Sequence, residues 1–536
     1  MALGDSNRLY SPFLQLIGFD GVRDTPVEVL HVVLLGVVKY LARDLVAGIS
    51  EGDQKQLVGR LQSFDCAALN ISSFKPKYLI KHIKSLVGRD FKILLQAAPF
   101  VFGEWMSEEQ KAIWFALCKL APLIFQTCIE DMEAYLIELT HHIDIFLFHI
   151  IRSTAQWVNK PKFHMLVHLV ESIRRFGPAC LFATEKFESY NGVLRKASVH
   201  SNKLAPGRDL ATSFNDFGSL RFVVSGGIVL DQETGGTRAI GTSVTSVFND
   251  NPSVQKSMGY NHLACHPDDR RDYPRKARGR VGEKMVSVPP EALLEAHPSA
   301  VVKQVGRVDV SEHDRVGSGS FVVVSLPQIN LQPHGELVVG HVDSLWEVSA
   351  NGSSPGFFAS MNVCISRGVD DWYQMRKLRR SGRKSLVNVK FILGCINVQH
   401  NCHRGECPVE LTKEEDMERQ ATGRKGWQVE HSDQEHYIIN SGALRNAVLH
   451  RRISGLPMEL PDRHKWTEAI DLGLGIWNTG LDPIQSDDEH FDEYQPGSED
   501  DAEGETDSEF ARSSNSSGSD NDEDADGETD SEYDEV

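Results

Sequence analysis

The spacing of the hydrophobic residues changes once along this 536-residue chain, near residue 215, and that change limits the folds open to it. Before residue 215, apolar residues recur at intervals close to 3.6, which places them on the buried faces of packed helices. The first run follows Thr25-Pro26-Val27-Glu28, which predicts a capping box with proline at the first helical position and a helix over 25–47. Further helices are predicted over 52–63, 75–86, 90–99, 107–128, 130–157, 162–176 and 184–200.

After residue 215 the pattern becomes that of β-strands. Short runs rich in β-branched residues, separated by Gly, Pro, Asn and Asp, occupy 219–230, 320–329, 336–348 and 385–398. The chain is therefore predicted to be an α+β protein with five segments. These are a helix-rich part (1–215), a mixed segment with a basic linker (216–295), a small β-rich module (296–450), a connecting segment (451–483) and an acidic disordered tail (484–536).

The formal net charge of −19 is concentrated near the C-terminus. Residues 487–536 contain 22 acids, one base and almost no aliphatic side chains, a composition that predicts disorder. The nine cysteines lack the spacing of a disulfide framework and no leader follows Met1, so a reducing compartment is expected, either the cytosol or the nucleus. The most apolar run, 134–151, contains five acidic or histidine residues and is predicted to be a core helix rather than a membrane span.

One predicted turn carries four residues that could ligate a metal: His400, Cys402, His403 and Cys407. Zinc is bound by such ligands, but a zinc site usually needs a second ligand pair at a suitable distance, for which Cys395 and the more remote Cys364 are candidates. The alternative is a turn that contains reduced thiols.

A second pair, His164 and His168, stands four residues apart in a predicted helix, where two imidazoles can share a metal. Met165 occupies the position at which the zinc-protease motif requires glutamate, so that class is excluded. The alternative is a pair of structural histidines.

Two basic clusters with aromatic neighbours could contact a nucleic-acid backbone or direct nuclear import. The first lies in the linker and consists of Arg270, Arg271, Arg275, Lys276, Arg278, Arg280 and Lys284. The second follows Trp372-Tyr373 and consists of Arg376, Lys377, Arg379, Arg380, Arg383 and Lys384. A solvated loop face is the alternative for both clusters.

The helix predicted over 184–200 carries Glu185 and Glu188 on one face, with Arg195 and Lys196 toward its C-terminal end. One interpretation is an ordinary amphipathic helix with solvated acids. The other makes one glutamate a metal ligand and lets the basic end face a phosphate.

The run Phe187-Glu188-Ser189-Tyr190-Asn191-Gly192-Val193-Leu194-Arg195 resembles a signature of the CACTA (En/Spm) DNA transposases, especially their fungal members. In that family it follows a His-Leu…Arg-x-x-Gly-Pro segment, which is similar to the stretch from His168 to Pro178 here. Glu28-Val29-Leu30-His31 resembles the acidic-x-x-His start of a long helix in the same family. The resemblance covers most of 10–215 and, less specifically, 296–450.

The resemblance implies a ribonuclease-H-like fold with a helical insertion, in which three acids hold two Mg²⁺ ions for phosphoryl transfer. It identifies Glu188 as the last of those acids, His31 as the signature histidine and Glu28 as the residue in the family's acidic position. The first metal-binding Asp of that fold lies on an upstream strand, and residues 2–22 are too few to supply its sheet. We therefore expect the catalytic strands to be missing and Mg²⁺ not to be retained.

These patterns together predict a truncated, transposase-derived nuclear protein that binds DNA and does not transfer strands on its own. A homo-oligomer is compatible with them, and neither a membrane nor a small-molecule substrate is expected. The alternative is a non-enzymatic chromatin or protein-interaction scaffold. A third interpretation is an incomplete gene whose missing part restores the catalytic sheet.

Overall fold

The computed structural model describes residues 12–71, 74–199, 201, 204–231, 235–257, 273–277, 287–311, 313–325, 337–350, 355–417, 420–454 and 459–479. Met1–Leu481 form one compact unit, in which helices come first and a sheet follows. The chain is thus an α+β protein. The tail predicted to be disordered, 484–536, lies outside the described residues, as do five members of the first basic cluster.

After a short 3-10 helix, Pro12–Gln15, the helical part contains a π-helix, Leu30–Val38, that continues directly into helix α1. No described residue before 215 lies in a strand, and the helices follow the predicted order. They are α1 (Lys39–Ala47), α2 (Glu51–Gln62), α3 (Pro76–Lys81), α4 (Gly88–Val101), α5 (Glu108–Ile124), α6 (Met132–Ser153), α7 (Pro161–Phe176), α8 (Glu185–Val199) and α9 (Pro206–Val224).

The start of the first helix differs from the prediction. Thr25 is not its cap, because the Thr25 hydroxyl donates a hydrogen bond to the Gly21 carbonyl at 2.8 Å. The carboxylate of Glu28 instead accepts hydrogen bonds from the amides of Leu30 and His31, both at 2.7 Å. Glu28 thereby satisfies amides that have no partner within the helix.

Helices α4 and α5 form the centre of the helical core, with Phe91, Leu94, Trp114 and Leu117 fully buried. Helix α6 packs against α5 and α7 and buries one apolar face. By length and composition α6 is the one helix among the described residues that could cross a membrane. Its sequence prediction as a core helix agrees with this packing.

The run at 219–230 was predicted to be a strand, and this prediction is wrong for most of its length. Helix α9 extends to Val224, and only β1 (Ile228–Leu230) is extended, paired with β2 (Thr237–Ala239). Two short helices follow, α10 (Thr242–Asn249) and α11 (Pro252–Ser257).

The remaining strands all pair with their neighbours in antiparallel orientation. Eight of them form one sheet in the order β11-β7-β8-β9-β10-β15-β12, with β4 also paired to β8. The strands are β3 (Arg275–Lys276), β4 (Val301–Val305), β5 (Arg307–Asp309), β6 (Arg315–Gly317), β7 (Phe321–Ser325), β8 (Leu337–Ser349), β9 (Gly356–Val369), β10 (Arg376–Asn388), β11 (Ile392–Cys395), β12 (Val398–His400), β13 (Val409–Met417), β14 (Gln420–Val429) and β15 (His436–Ile439).

The sheet is buried on both faces. Along β7, Val322 and Val324 enter one apolar cluster, whereas Phe321 and Val323 enter another, as the alternation of side chains along a strand requires. Four helices accompany the strands: α12 (Glu291–Ala296), α13 (Cys402–Gly405), α14 (Ala447–Ser454) and α15 (Arg463–Asn478).

Buried amides join the helical part to the sheet. The Asn397 side chain is fully buried and donates to the carbonyls of Asp65 and Ala67, both at 2.8 Å. The Asn440 side chain donates to the Gln96 carbonyl at 3.1 Å. The two segments that were predicted as separate domains therefore share an interface with its own hydrogen-bond network.

Candidate functional site

Three elements of the β-rich part bring two histidines and two cysteines together. His400 ends β12, and the side chain of Asn401 accepts the Arg404 amide at 3.1 Å to start the one-turn helix α13. Cys402 lies in that turn, and Cys407 follows it immediately before β13. The fourth residue, His431, lies just after β14. The hairpin β13–β14 therefore leaves the cluster at Cys407 and returns to it at His431.

The four side chains converge on one point. The sulfur of Cys402 lies 3.5 Å from Nδ1 of His400 and 3.5 Å from Nδ1 of His431. The sulfur of Cys407 lies 3.6 Å from Nδ1 of His400. All four ligand atoms lie within 4.8 Å of one another, so this group could hold a metal ion.

Neighbouring groups orient the ligands. Nε2 of His400 points toward Asp433 at 3.5 Å, too long for a good hydrogen bond, and the contact is mainly electrostatic. Burial opposes ionisation of Asp433, but hydrogen bonds from Glu435 and His436 hold its pKa well below the usual value. A carboxylate behind a ligating imidazole is the usual outer partner at metal sites.

Neighbouring groups also surround the two thiols. The Ser432 amide donates a hydrogen bond to the sulfur of Cys407 at 3.4 Å. Burial raises the pKa of the Cys402 thiol to about 12. Gly405 leaves the room that the cluster needs, since a Cβ there would lie 2.4 Å from the Ser432 hydroxyl and 3.0 Å from the sulfur of Cys407.

Three members of the cluster, His400, Cys402 and His431, also line a cavity of about 250 Å³ between the sheet and helix α2. Arg60 and Asp65 line its helical side, and Tyr373 and Tyr437 its sheet side. The four residues His400, Cys402, Cys407 and His431, which form the candidate metal cluster, therefore lie at the contact between the helical part and the sheet.

The structure assigns the sequence-predicted ligands differently in one respect. His400, Cys402 and Cys407 come together, but the ring of His403 stacks on Trp372 with 3.8 Å between centroids. The fourth position belongs to His431, which the sequence analysis missed. Cys364 and Cys395, the candidates for the second pair, are buried in the apolar clusters of the sheet.

A second group forms where the π-helix meets helix α8. Nδ1 of His31 contacts the Glu28 carboxylate, and Nε2 of His31 lies 3.0 Å from the Glu188 carboxylate. The Thr184 amide also donates to Glu28, at 3.3 Å. The three residues indicated by the family resemblance therefore lie side by side, although Glu188 is distant in sequence from Glu28 and His31.

The three residues of this group differ in how far they are buried. Burial opposes ionisation of Glu28, whose side chain is 14% exposed, but hydrogen bonds from His31 and neighbouring amides hold its pKa below the usual value. His31 and Glu188 are about half exposed. The two carboxylates contact opposite ring nitrogens of His31, so they do not face one common metal position.

The second basic cluster lies on β10 and at a bulge. Arg379 pairs with Glu435 at 3.3 Å and Arg380 with Asp343 at 3.7 Å. The register of β9 and β10 shifts between Arg380 and Lys384.

Arg383 and Lys384 are exposed at this bulge. Neither they nor Lys377 forms an ion pair with the part of the chain that the structure describes. Arg376 hydrogen-bonds the Ser366 hydroxyl at 3.4 Å.

The other basic residues named from the sequence are less informative. Arg275 pairs with Asp309 at 3.2 Å, and Lys276 pairs with Glu347 at 2.9 Å. Arg195 is exposed on α8, whereas the side chain of Lys196 lies outside the described residues.

Comparison with known proteins adds one match. A family described as Domain of unknown function (DUF8590) matches residues 274–457, which contain the whole sheet and all four residues of the metal cluster. No curated protein and no solved structure matches the chain.

Proposed function

We propose that this protein is a nuclear DNA-binding protein of transposase descent, whose helical part derives from a ribonuclease-H-like domain. The observation that carries the proposal is the convergence of Glu28, His31 and Glu188. The resemblance to CACTA transposases selected Glu28 and His31 from one motif and Glu188 from another, and a chance match would not be expected to bring the two motifs into contact.

The same geometry supports a protein that does not transfer strands on its own. Two-metal catalysis needs several carboxylates around ions about 4 Å apart. Here His31 separates Glu28 from Glu188, and the neighbouring Glu185 pairs with Lys92 at 2.7 Å. Among the residues that the structure describes, this group does not form the shared acidic pocket that two Mg²⁺ ions require.

The bulge of β10 is the proposed DNA-contacting surface. A bulge re-aims side chains away from the regular strand. Arg383 and Lys384 lie exposed there, whereas Arg379 and Arg380 are occupied by acids of this chain. Unpaired cations on an exposed ribbon suit contact with phosphates, which displaces counterions from the nucleic acid.

Binding of the full chain to duplex DNA, measured by fluorescence anisotropy between 50 and 200 mM salt, tests this proposal. We expect the double variant Arg383→Ser/Lys384→Ser to bind more weakly and to lower the slope of log K against log salt by about 2. The matched control is Lys81→Ser/Lys84→Ser, which removes two exposed lysines of the helical part. Binding that is absent or independent of salt would contradict the proposal.

We further propose that the ion at the metal cluster is Zn²⁺ in a structural role. With Zn–S near 2.3 Å and Zn–N near 2.0–2.1 Å, a tetrahedral site separates sulfur from nitrogen by about 3.6 Å. Three of the four sulfur–nitrogen pairs in the cluster are 3.5, 3.5 and 3.6 Å apart, and all four ligand atoms lie within 4.8 Å of one another. Four protein ligands fill the coordination sphere, as in structural rather than catalytic zinc sites.

Metal analysis of the purified full chain tests this assignment, and we expect one zinc per chain. Gly405→Ala should weaken zinc binding at least about tenfold, because the new methyl displaces Ser432 and Cys407. Gly207→Ala is the control, since a Cβ there meets no atom within 4 Å. A full zinc content in a Cys407→Ser variant would rule the site out.

A protein-interaction scaffold remains the second candidate, and one observation favours it. Large apolar side chains on and around α8 and α9 are exposed, among them Phe187 (71%), Val199 (68%) and Leu204 (88%). Several large exposed apolar side chains in one segment of the chain are typical of protein interfaces. The DNA titration separates the two candidates, because a pure scaffold shows no salt-dependent binding to DNA.

A further inference from the structure

Two histidines of helix α7 remain outside both groups described above. Phe163, Leu166, Leu169 and Ile173 bury one stripe of this helix in the core. His164 and His168 lie on the solvent side, where both side chains are exposed. The core does not use them, so the sequence interpretation as structural histidines does not describe their surroundings.

The two rings point their Nε2 atoms at each other. These atoms are 3.2 Å apart, and the ring planes are 77° from parallel. Two imidazoles bound to one tetrahedral zinc-sized ion would place their nitrogens about 3.3 Å apart, given a bond length near 2.0–2.1 Å. The side chains thus already hold the spacing that a shared ion requires.

The helix that carries the pair is also fixed at this point. The Ser172 hydroxyl donates to the His168 carbonyl at 3.1 Å. The Ser172 hydroxyl oxygen also accepts a hydrogen bond from the Val27 amide at 3.1 Å, which ties α7 to the segment that leads into Glu28. A fixed backbone reduces the ordering that ion binding would otherwise require.

We infer that His164 and His168 form a second metal site, which binds one divalent transition-metal ion through both Nε2 atoms. Imidazole nitrogen selects ions such as Ni²⁺, Cu²⁺, Co²⁺ and Zn²⁺ over Mg²⁺ and Ca²⁺. Only two protein ligands contribute, so water fills the remaining positions and the ion exchanges readily. This site is separate from the four-ligand cluster and does not depend on the proposed function.

Calorimetric titration of the zinc-loaded full chain with Ni²⁺ tests the inference. We expect one equivalent of Ni²⁺ to bind without loss of zinc, and no comparable binding of Mg²⁺. His164→Gln and His168→Gln should each lower the Ni²⁺ affinity at least about tenfold. Because both side chains are exposed, neither variant should shift the thermal unfolding midpoint appreciably.

The matched control is His464→Gln, which removes an exposed histidine from helix α15 that lies near Glu468 rather than another histidine. It should bind Ni²⁺ like the unaltered protein. Unchanged affinity in both His164→Gln and His168→Gln would overturn the inference. So would the lack of any Ni²⁺ binding beyond exchange at the zinc cluster, which would leave a hydrogen bond between the two imidazoles as the whole of their interaction.

Discussion

Glu28 serves two purposes with one carboxylate. It accepts the amides that begin the π-helix, and it contacts the imidazole of His31. The first task explains its burial, and the second fixes which nitrogen of His31 faces Glu188. A single acid therefore links the start of a helix to the orientation of a candidate functional side chain.

This arrangement makes the contribution of Glu28 to stability dependent on pH. Its folded pKa lies below the ordinary value of 4.5, so its stabilising effect is complete above that pH and is lost as the pH falls through the lowered pKa. Glu28→Gln should cost about 1–2 kcal/mol at pH 7 and less at pH 3.5, measured by urea unfolding. Glu459→Gln, at an exposed position, is the control and should change little at either pH. An equal loss at both pH values would contradict this account.

At the scale of residues, the sequence predicted the metal cluster only in part. His400, Cys402 and Cys407 are close along the chain, so their spacing was visible. His431 lies beyond a whole hairpin, and only the closure of that hairpin brings it near. His403 was included because of its position in the sequence, but its ring packs on Trp372 instead.

At the scale of elements, periodicity predicted the helices well, whereas the one predicted capping box, at Thr25–Glu28, is not formed. Ser107 and Gln110 form a reciprocal capping box at the start of α5, and a buried stripe follows them. The run at 219–230 misled because Phe222, Val223 and Val224 favour strands locally. Proline at the start of α9 and the length of that helix outweigh this preference, and the strand begins only at Ile228.

At the scale of the whole molecule, the sequence did not predict that helices and sheet share an interface. The buried amides that join them, Asn397, Gln399 and Asn440, resemble ordinary strand or turn residues in the sequence. Their partners are main-chain carbonyls, those of Asp65 and Gln96 among them. Every residue has such a carbonyl, so the sequence does not indicate which of them will accept these hydrogen bonds. Only the tertiary contact shows why polar residues occupy a buried edge of the sheet.

Asn397→Ala should therefore loosen the whole unit. The substitution removes two donors to buried carbonyls and the acceptor for Gln399 and Asn440, at 2.8 and 2.9 Å. We expect a loss of about 2–4 kcal/mol and faster hydrogen exchange in the loop around Asp65. Asn215→Ala, at an exposed position of α9, should cost less than about 0.5 kcal/mol. An unchanged unfolding midpoint for Asn397→Ala would show that the two parts are held together elsewhere.

The path of the hairpin β13–β14 makes the proposed zinc a cross-link as well as a centre of coordination. Cys407 precedes the hairpin and His431 follows it, so one ion ties together two points that the chain separates by an entire loop. A covalent bridge across a loop of this length would restrict the unfolded chain by about 3.5 kcal/mol. An ion achieves a comparable restriction by a bond that chelators, rather than reductants, would open.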